Sequence, residues 1–457
     1  MLFGLAAPAL AQADLVIEDV SVIDVETGQI ATGQTVAVED GRIVSVGAGD
    51  PVAEPDAIFI SGEGRFLIPG LWDAHVHSAY NADWHFPLFL AHGVTSVRNM
   101  HTTDENGFEQ VQRLRSETRG GAILGPRFIA NGFIVDGGEG AWPQSIIASD
   151  VETARAAVDA HVANGMDFVK VYNSLSADAY RAILERARER GIAVDGHLPE
   201  SMYDQIDFSL GQRTFEHAIE MAQGCTDWDS APDAPPDDLA PYTERVFWFG
   251  VYDEFLDTDM CRDTARAMAA NGAVAVPTFI NTLTFSHAAE LMAGENTAAM
   301  LPRAVGEEWA AMAASPEAGE MLASRPDPWI ASRAYVQLWQ DAGVTLLAGT
   351  DVGNPFMVPG DSLLRELELM VELGMPEDRA LATATINPAR VFAIEKLGLV
   401  APGYDADLVL LDANPLDDIA NIRQIVGVVR QGVYYPRETL NRNVTMALER
   451  ANQDQDE

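Results

Sequence analysis

The sequence predicts an α/β protein: a (β/α)8 TIM barrel carrying a small β-sandwich domain formed from both chain ends. Three observations point there. Strand-like apolar runs alternate with helical segments through the middle of the chain, as repeated βα units do. Short alternating apolar and polar runs, punctuated by turn formers, occur on either side of that region. Side chains of metal-ligand type close several central strand candidates, at the end of the barrel where such enzymes keep their active sites.

Composition sets the limits. At 457 residues, with 47% hydrophobic and 21% charged residues, the chain is a folded globular protein. That length accommodates a barrel of about 250 residues or more plus a second domain. There are 69 acidic residues against 29 basic, a formal net charge of -40. So acidic a surface repels nucleic acid and anionic lipid and leaves a small-molecule substrate as the expected partner. Only Lys170 and Lys396 supply lysine, so a lysine in an interior strand calls for an explanation.

Residues 1–13 are apolar and end in Ala11-Gln12-Ala13, a small-x-small cleavage pattern without the basic stretch that normally precedes it. They read as the remnant of a signal peptide, which places the protein in the periplasm or outside the cell. No other stretch approaches a membrane span in length, so the mature protein is expected to be soluble. Export permits a Cys225–Cys261 disulfide without establishing it.

The first part of the β-sandwich is read over 14–65, where runs such as Val20-Ser21-Val22-Ile23 and Ile43-Val44-Ser45-Val46 are separated by Thr27-Gly28 and Asp40-Gly41. The barrel is read over 66–395, with strands at 66–75, 94–99, 127–134, 168–172, 192–197, 213–217, 273–280 and 345–350. Its clearest helices are 151–164, 177–190, 259–271, 330–342, 361–373 and 376–385. The Asp- and Pro-rich segment 222–260 is too long for a simple βα loop and reads as an inserted lid. The Ala- and Met-rich segment 284–328 reads as helical cover for the barrel mouth or an oligomer contact. The second part of the sandwich follows over 396–440 and the C-terminal tail over 441–457, which is expected to be polar and frayed from 447 onward.

The chemistry gathers at strand ends. His75 and His77 are two residues apart, so in an extended strand both imidazoles project from one face toward one metal ion. Lys170 sits inside Phe168-Val169-Lys170-Val171-Tyr172, where a bare ammonium is costly to bury unless paired or modified. Carboxylation by CO2 to a carbamate is one relief. His197, His217 and Asp351 each close a further strand candidate.

The order His-x-His, Lys, His, His, Asp resembles the metal-dependent amidohydrolase superfamily in its binuclear, carboxylated-lysine form. The post-barrel Ala384-Thr385-Ile386-Asn387-Pro388-Ala389 and the closing Gly403-Tyr404-Asp405-Ala406-Asp407-Leu408-Val409 carry the same resemblance. Within the superfamily the chain looks most like the imidazolonepropionase-like branch, with its Xaa-Pro and other dipeptidases and its N-acyl amino acid amidases. The resemblance implies two divalent ions. His75, His77 and Asp351 would hold one, His197 and His217 the other, and the carbamate on Lys170 would bridge them. A ligand set of nitrogen and oxygen suits zinc, with manganese or cobalt as alternatives. It further implies attack by a metal-bridging hydroxide on an amide, with Asp351 as general base and then acid. Tyr172, two residues past Lys170, reads equally as an oxyanion donor in the same mouth or as a packing tyrosine. Relatives of this kind are commonly oligomers, so a homo-oligomer is expected.

One departure concerns the loop after strand three. Dipeptidase-like relatives often read Gly-Gly-His there, whereas this chain reads Gly137-Gly138-Glu139-Gly140-Ala141-Trp142. Glu139 would repel a substrate carboxylate unless protonated or paired, which weakens an Xaa-Pro assignment but not a hydrolase one. Trp142 could form an apolar wall, and His101 is a reserve pocket residue. Arg98 and Asn99 are candidates to support the site or touch substrate, and Asp73 to orient the imidazoles. The remaining histidines read as structural. The function expected is a secreted amidohydrolase acting on a dipeptide or N-acyl amino acid. A lactonase or organophosphate-type hydrolase is the alternative, and a cyclic amidine deaminase a further one, disfavoured by Lys170.

Overall fold

The computed structural model describes residues 13–49, 51–203, 205–218, 221, 224–232, 251–252, 254–284, 297–315 and 329–453. The signal-peptide reading, His287, most of the lid reading and part of the 284–328 reading therefore lie outside the described residues.

The N-terminal segment forms β1 (Ala13–Ile23), β2 (Ile30–Glu39), β3 (Arg42–Gly47), β4 (Ala53–Ser61) and β5 (Phe66–Pro69). The central region adds β6 (Leu71–Val76), β7 (Val94–Asn99), β8 (Arg127–Ala130), β9 (Ile134–Asp136), β10 (Ile146–Ile147), β11 (Phe168–Val171), β12 (Ala193–Gly196), β13 (Thr214–Glu216), β14 (Val274–Val276) and β15 (Thr345–Leu346). The C-terminal segment supplies β16 (Leu408–Leu411), β17 (Ile425–Arg430) and β18 (Val433–Pro436).

Both ends share one eight-stranded sheet in the order β18-β17-β16-β5-β1-β2-β3, with β4 beside β1. Its alternating side chains close a separate core around Ile17, Val36, Val38, Leu408 and Leu410. The central strands form a TIM-barrel-type α/β domain. All strand pairs recorded within it are parallel: β6-β7-β8 in one run, and β10-β9-β11-β12-β13-β14-β15 in another. The last strand returns beside the first, since Ala74 N–H donates to Ala348 O at 2.9 Å and Asp351 N–H to His75 O at 2.8 Å.

Two strand readings need correction. The stretch 66–75 is not one strand: β5 pairs with β1 and β16 in the end sheet, while β6 pairs with β7. The break falls at Pro69-Gly70, where a Cβ on Gly70 would lie 2.1 Å from Thr95 Oγ1, so only glycine allows the approach. The stretch 127–134 is likewise divided between β8 and β9. Asn131 sits in the gap and its amide donates to Met100 O and Phe133 O.

The helix readings hold closely, as at Val151–Ala163, Ala177–Arg190 and Asp361–Glu372. The first two begin at side-chain caps, Asp150 and Ser176, that satisfy otherwise orphaned N–H groups. The frayed-tail reading fails over most of its length. Arg437–Gln453 is a helix whose Ala447, Leu448 and Ala451 pack with Trp84 and Leu88 of the helix Ala82–Ala91. Its apolar positions fall at helical spacing among polar residues, which composition alone does not reveal.

Candidate metal centre

The ligand candidates come together at one end of the parallel sheet. Among the described residues, His75, His77 and Asp351 form a cluster whose ligand atoms all lie within 4.8 Å of one another. Asp351 Oδ1 is 3.2 Å from His75 Nε2 and 2.8 Å from His77 Nε2, and Asp351 Oδ2 is 4.0 Å from His217 Nε2. The His197 and His217 rings are 4.9 Å apart, and those of His75 and His217 4.8 Å. A cavity of about 200 Å³ is lined by His77, Lys170, His197, His217 and Asp351, with Tyr172, Trp142, Asn281, Thr284, Met312, Asn354, Pro355 and Phe356. His75 lies behind it, fully buried.

Local backbone brings these side chains round. His217 and Asp351 have φ of +63° and +70°, a left-handed conformation that most residues avoid and that concentrates at functional sites. At His217 the turn lets it enter the mouth although Thr214 and Glu216 occupy the inward positions of β13. A Cβ on Gly349 would stand 2.9 Å from His75 Cβ, so the last strand approaches the first only through glycine.

The arrangement fits a cation. His75 Nδ1 lies 2.8 Å from Glu216 Oε2. Arg98, whose guanidinium bonds both oxygens of Glu216, holds that carboxyl below its ordinary pKa against the penalty of burial. With Nδ1–H donated to Glu216, a neutral His75 would aim its Nε2 lone pair at a carboxylate oxygen. Burial lowers the pKa of His75, but Asp351 and Glu216 raise it overall. A divalent ion would satisfy the same convergence of lone pairs. Burial and then the Lys170 ammonium push His77 down to about 4. Burial also opposes ionisation of Asp351, but His75 and His77 bring its pKa well below the carboxylate range.

Each further histidine has its own support. His197 Nδ1 is 2.5 Å from Asn173 Oδ1, and His217 Nδ1 is 2.7 Å from Thr278 Oγ1. Asn281 donates to Asp351 Oδ2 at 2.6 Å. Beneath the cluster, Arg98 also bonds Asp195 and Thr214, Arg213 bonds Asp195 twice, and Phe392 lies under both guanidiniums at 5.0 and 5.1 Å. This buried, mutually paired layer fixes the floor of the site.

Sequence reading missed Glu216, Asn173, Thr278 and Asn281. Glu216 adjoins a proposed ligand but carries no spacing signal, and the other three depend on which loops meet. Asp73 was expected to orient the imidazoles. Instead it accepts the backbone N–H of His75 and the N–H and hydroxyl of Thr350, tying the first strand to the last. Glu139 is exposed and does not line the cavity. Asp136 gathers the N–H groups of Gly137, Ala141 and Ser174, a fold of the loop that leaves Glu139 outside while Trp142 faces the mouth. His101 is buried between the rings of His77 and Trp142, at 4.2 and 5.2 Å. Trp142 Nε1 donates to Tyr172 Oη at 3.0 Å. Cys225 and Cys261 form a disulfide.

Comparison with known proteins agrees with this geometry. The Amidohydrolase family model matches residues 66–434. Among solved structures, the fold is similar to bottromycin amidohydrolase, with a TM-score of 0.73, 23% identity, and 95% of this chain and 90% of that chain covered. It is also similar to a putative prolidase from Bifidobacterium longum, with a TM-score of 0.66, 21% identity, and 96% and 99% covered. Among curated proteins, an adenine deaminase from Paracoccus denitrificans (strain Pd 1222) is 34% identical over 118 residues, 24% of this chain and 20% of that protein. The chain thus spans about a fifth or less of the length of the curated relatives it matches. The family match covers most of the chain: this protein belongs to the amidohydrolase family.

Proposed function

We propose that the protein is a binuclear amidohydrolase that cleaves an amide or peptide bond of a dipeptide or N-acyl amino acid. The proposal includes a closed (β/α)8 barrel, a β-sandwich from the two ends, and export to the periplasm or beyond. The observation that carries it is the convergence of His75 and His77 on Asp351 at the wall of a cavity that also holds Lys170, His197 and His217.

His75, His77 and Asp351 would hold one ion, and His197 and His217 the other, with Lys170 as a carbamate between them. Nitrogen and oxygen donors suit zinc. When bound, the ions would supply an acidified water and a polarised carbonyl. The chain's own groups do the rest. Asp351 Oδ2 can take a proton from the attacking water and return it to the departing nitrogen, while Asn281 holds that oxygen in place. Tyr172, whose Oη accepts a hydrogen bond from Trp142 and which lines the cavity, would donate to the oxyanion. Trp142, Met312, Pro355 and Phe356 supply apolar wall that limits water around the reacting amide.

Metal analysis of wild type and Lys170→Ala is the test. Two ions per chain in wild type, with loss of metal and of activity in the variant, is the expected result. One ion per chain, unchanged in content and activity by Lys170→Ala, would sink the proposal. A panel of dipeptides, N-acyl amino acids, lactones and aryl phosphoesters then identifies the substrate class. The short matches to adenine deaminases favour one second reading, deamination of a cyclic amidine, so adenine belongs in the same panel.

A further inference from the structure

Glu366 belongs to the helix Asp361–Glu372, outside the ligand candidates, and is fully buried. Its Oε1 accepts the backbone N–H of Phe279 at 3.0 Å and its Oε2 that of Ile280 at 2.7 Å. Those two residues open the helical segment 279–284 that follows β14. The first N–H groups of a helix have no partner within it and are normally met by a nearby Ser, Thr, Asp or Asn. Here the carboxyl group of a residue 87 positions away in sequence meets them, and burying a carboxyl costs stability, so a packing role alone accounts for it poorly.

What the turn carries supplies the reason. Thr278, one residue before Phe279, has φ +47°, rare for a β-branched residue, and its Oγ1 bonds His217 Nδ1. Asn281, one residue after Ile280, bonds Asp351 Oδ2. The two N–H groups held by Glu366 thus lie between the side chains that orient ligand candidates on two different strands.

We propose that Glu366 is a positioning residue for the metal centre: it fixes the strained turn 278–281 so that Thr278 aims His217 and Asn281 aims Asp351. This rests on the two-ion reading above. A glutamine at 366 keeps the shape but presents an NH2 group to one of the two N–H donors, so one bond is lost and the turn relaxes.

Zinc binding to metal-free protein, measured by competition with a chromophoric chelator, tests the proposal in wild type, Glu366→Gln, Thr278→Val and the double variant. Each single variant is expected to weaken zinc binding at least about tenfold, the usual scale for groups that orient metal ligands. The double variant should lose less than the product of the two, because both substitutions cut one chain of contacts. Hydrogen exchange at the Phe279 and Ile280 amides should quicken in Glu366→Gln. If Glu366→Gln does not fold, Glu366→Asp, which keeps the carboxyl group but falls short by one methylene, is read in the same way. Wild-type affinity in the Glu366 variant, even with a lowered melting temperature, overturns the positioning role. A wild type that binds no zinc overturns the two-ion reading, and this proposal with it.

Discussion

His75 Nδ1 and Glu216 Oε2 stand 2.8 Å apart with both side chains completely buried, and Arg98 donates to Oε1 and Oε2 of that carboxylate at 2.8 and 2.9 Å. The pair fixes which nitrogen of His75 faces Asp351. Glu216→Gln should therefore lower activity by about 10- to 100-fold through a misaligned ligand, with metal affinity falling alongside. Glu216→Ala should also lose about 3–5 kcal/mol of stability, because Arg98 is left as a buried charge with fewer partners. Steady-state kinetics and denaturant unfolding check the two effects separately. A Glu216→Gln enzyme as active as wild type would remove Glu216 from the site.

Trp142 and Tyr172 predict a graded effect on turnover. Tyr172→Phe should reduce kcat by about 10²–10³-fold if its hydroxyl donates to the oxyanion. Trp142→Phe removes only the bond that orients that hydroxyl, so about tenfold is expected, the scale of one hydrogen bond. KM should change less than kcat in both. Equal kinetics for wild type and Tyr172→Phe would rule out the oxyanion role.

The disulfide joins residues 36 positions apart. Chain entropy alone makes a closed loop of that size worth about 4 kcal/mol. Cys225→Ala with Cys261→Ala, or reduction of the wild type, should lower the unfolding free energy by up to that amount. A reduced protein with an unchanged denaturation midpoint would contradict it.

Glu366 makes a prediction about pH. Burial, with a smaller push from Asp73, raises its pKa from 4.5 to about 8, although the Ile280 and Phe279 N–H groups and Arg365 pull the other way. Between those two values the folded protein binds more protons here than the unfolded chain does. The contribution of this group to stability is therefore present at low pH and is lost as pH rises toward 8. Metal-free wild type should lose stability between about pH 5 and about pH 8 more steeply than Glu366→Gln, as urea unfolding at intervals would show. Parallel curves would exclude the raised pKa.

Most of the candidate centre was legible in the sequence because its donors are rare residue types at strand ends. The His75-Val76-His77 spacing has a fixed meaning in an extended strand, and Lys170 is conspicuous in a chain with two lysines. The supporting groups were not legible. Glu216, Thr278, Asn281 and Glu366 are ordinary residue types whose roles arise from contacts up to 141 positions apart, which no local period records.

The sequence by itself determined the α/β class, most of the helices and which residues are the candidate donors, since hydrophobic period, turn residues and side-chain chemistry are local properties. Only the tertiary structure decided where the chain divides at Pro69-Gly70, that Arg437–Gln453 packs as a helix, and that Glu139 faces solvent while Trp142 reaches Tyr172. Those outcomes are settled by close approach and by buried polar groups finding partners, and both require the whole chain to be in place.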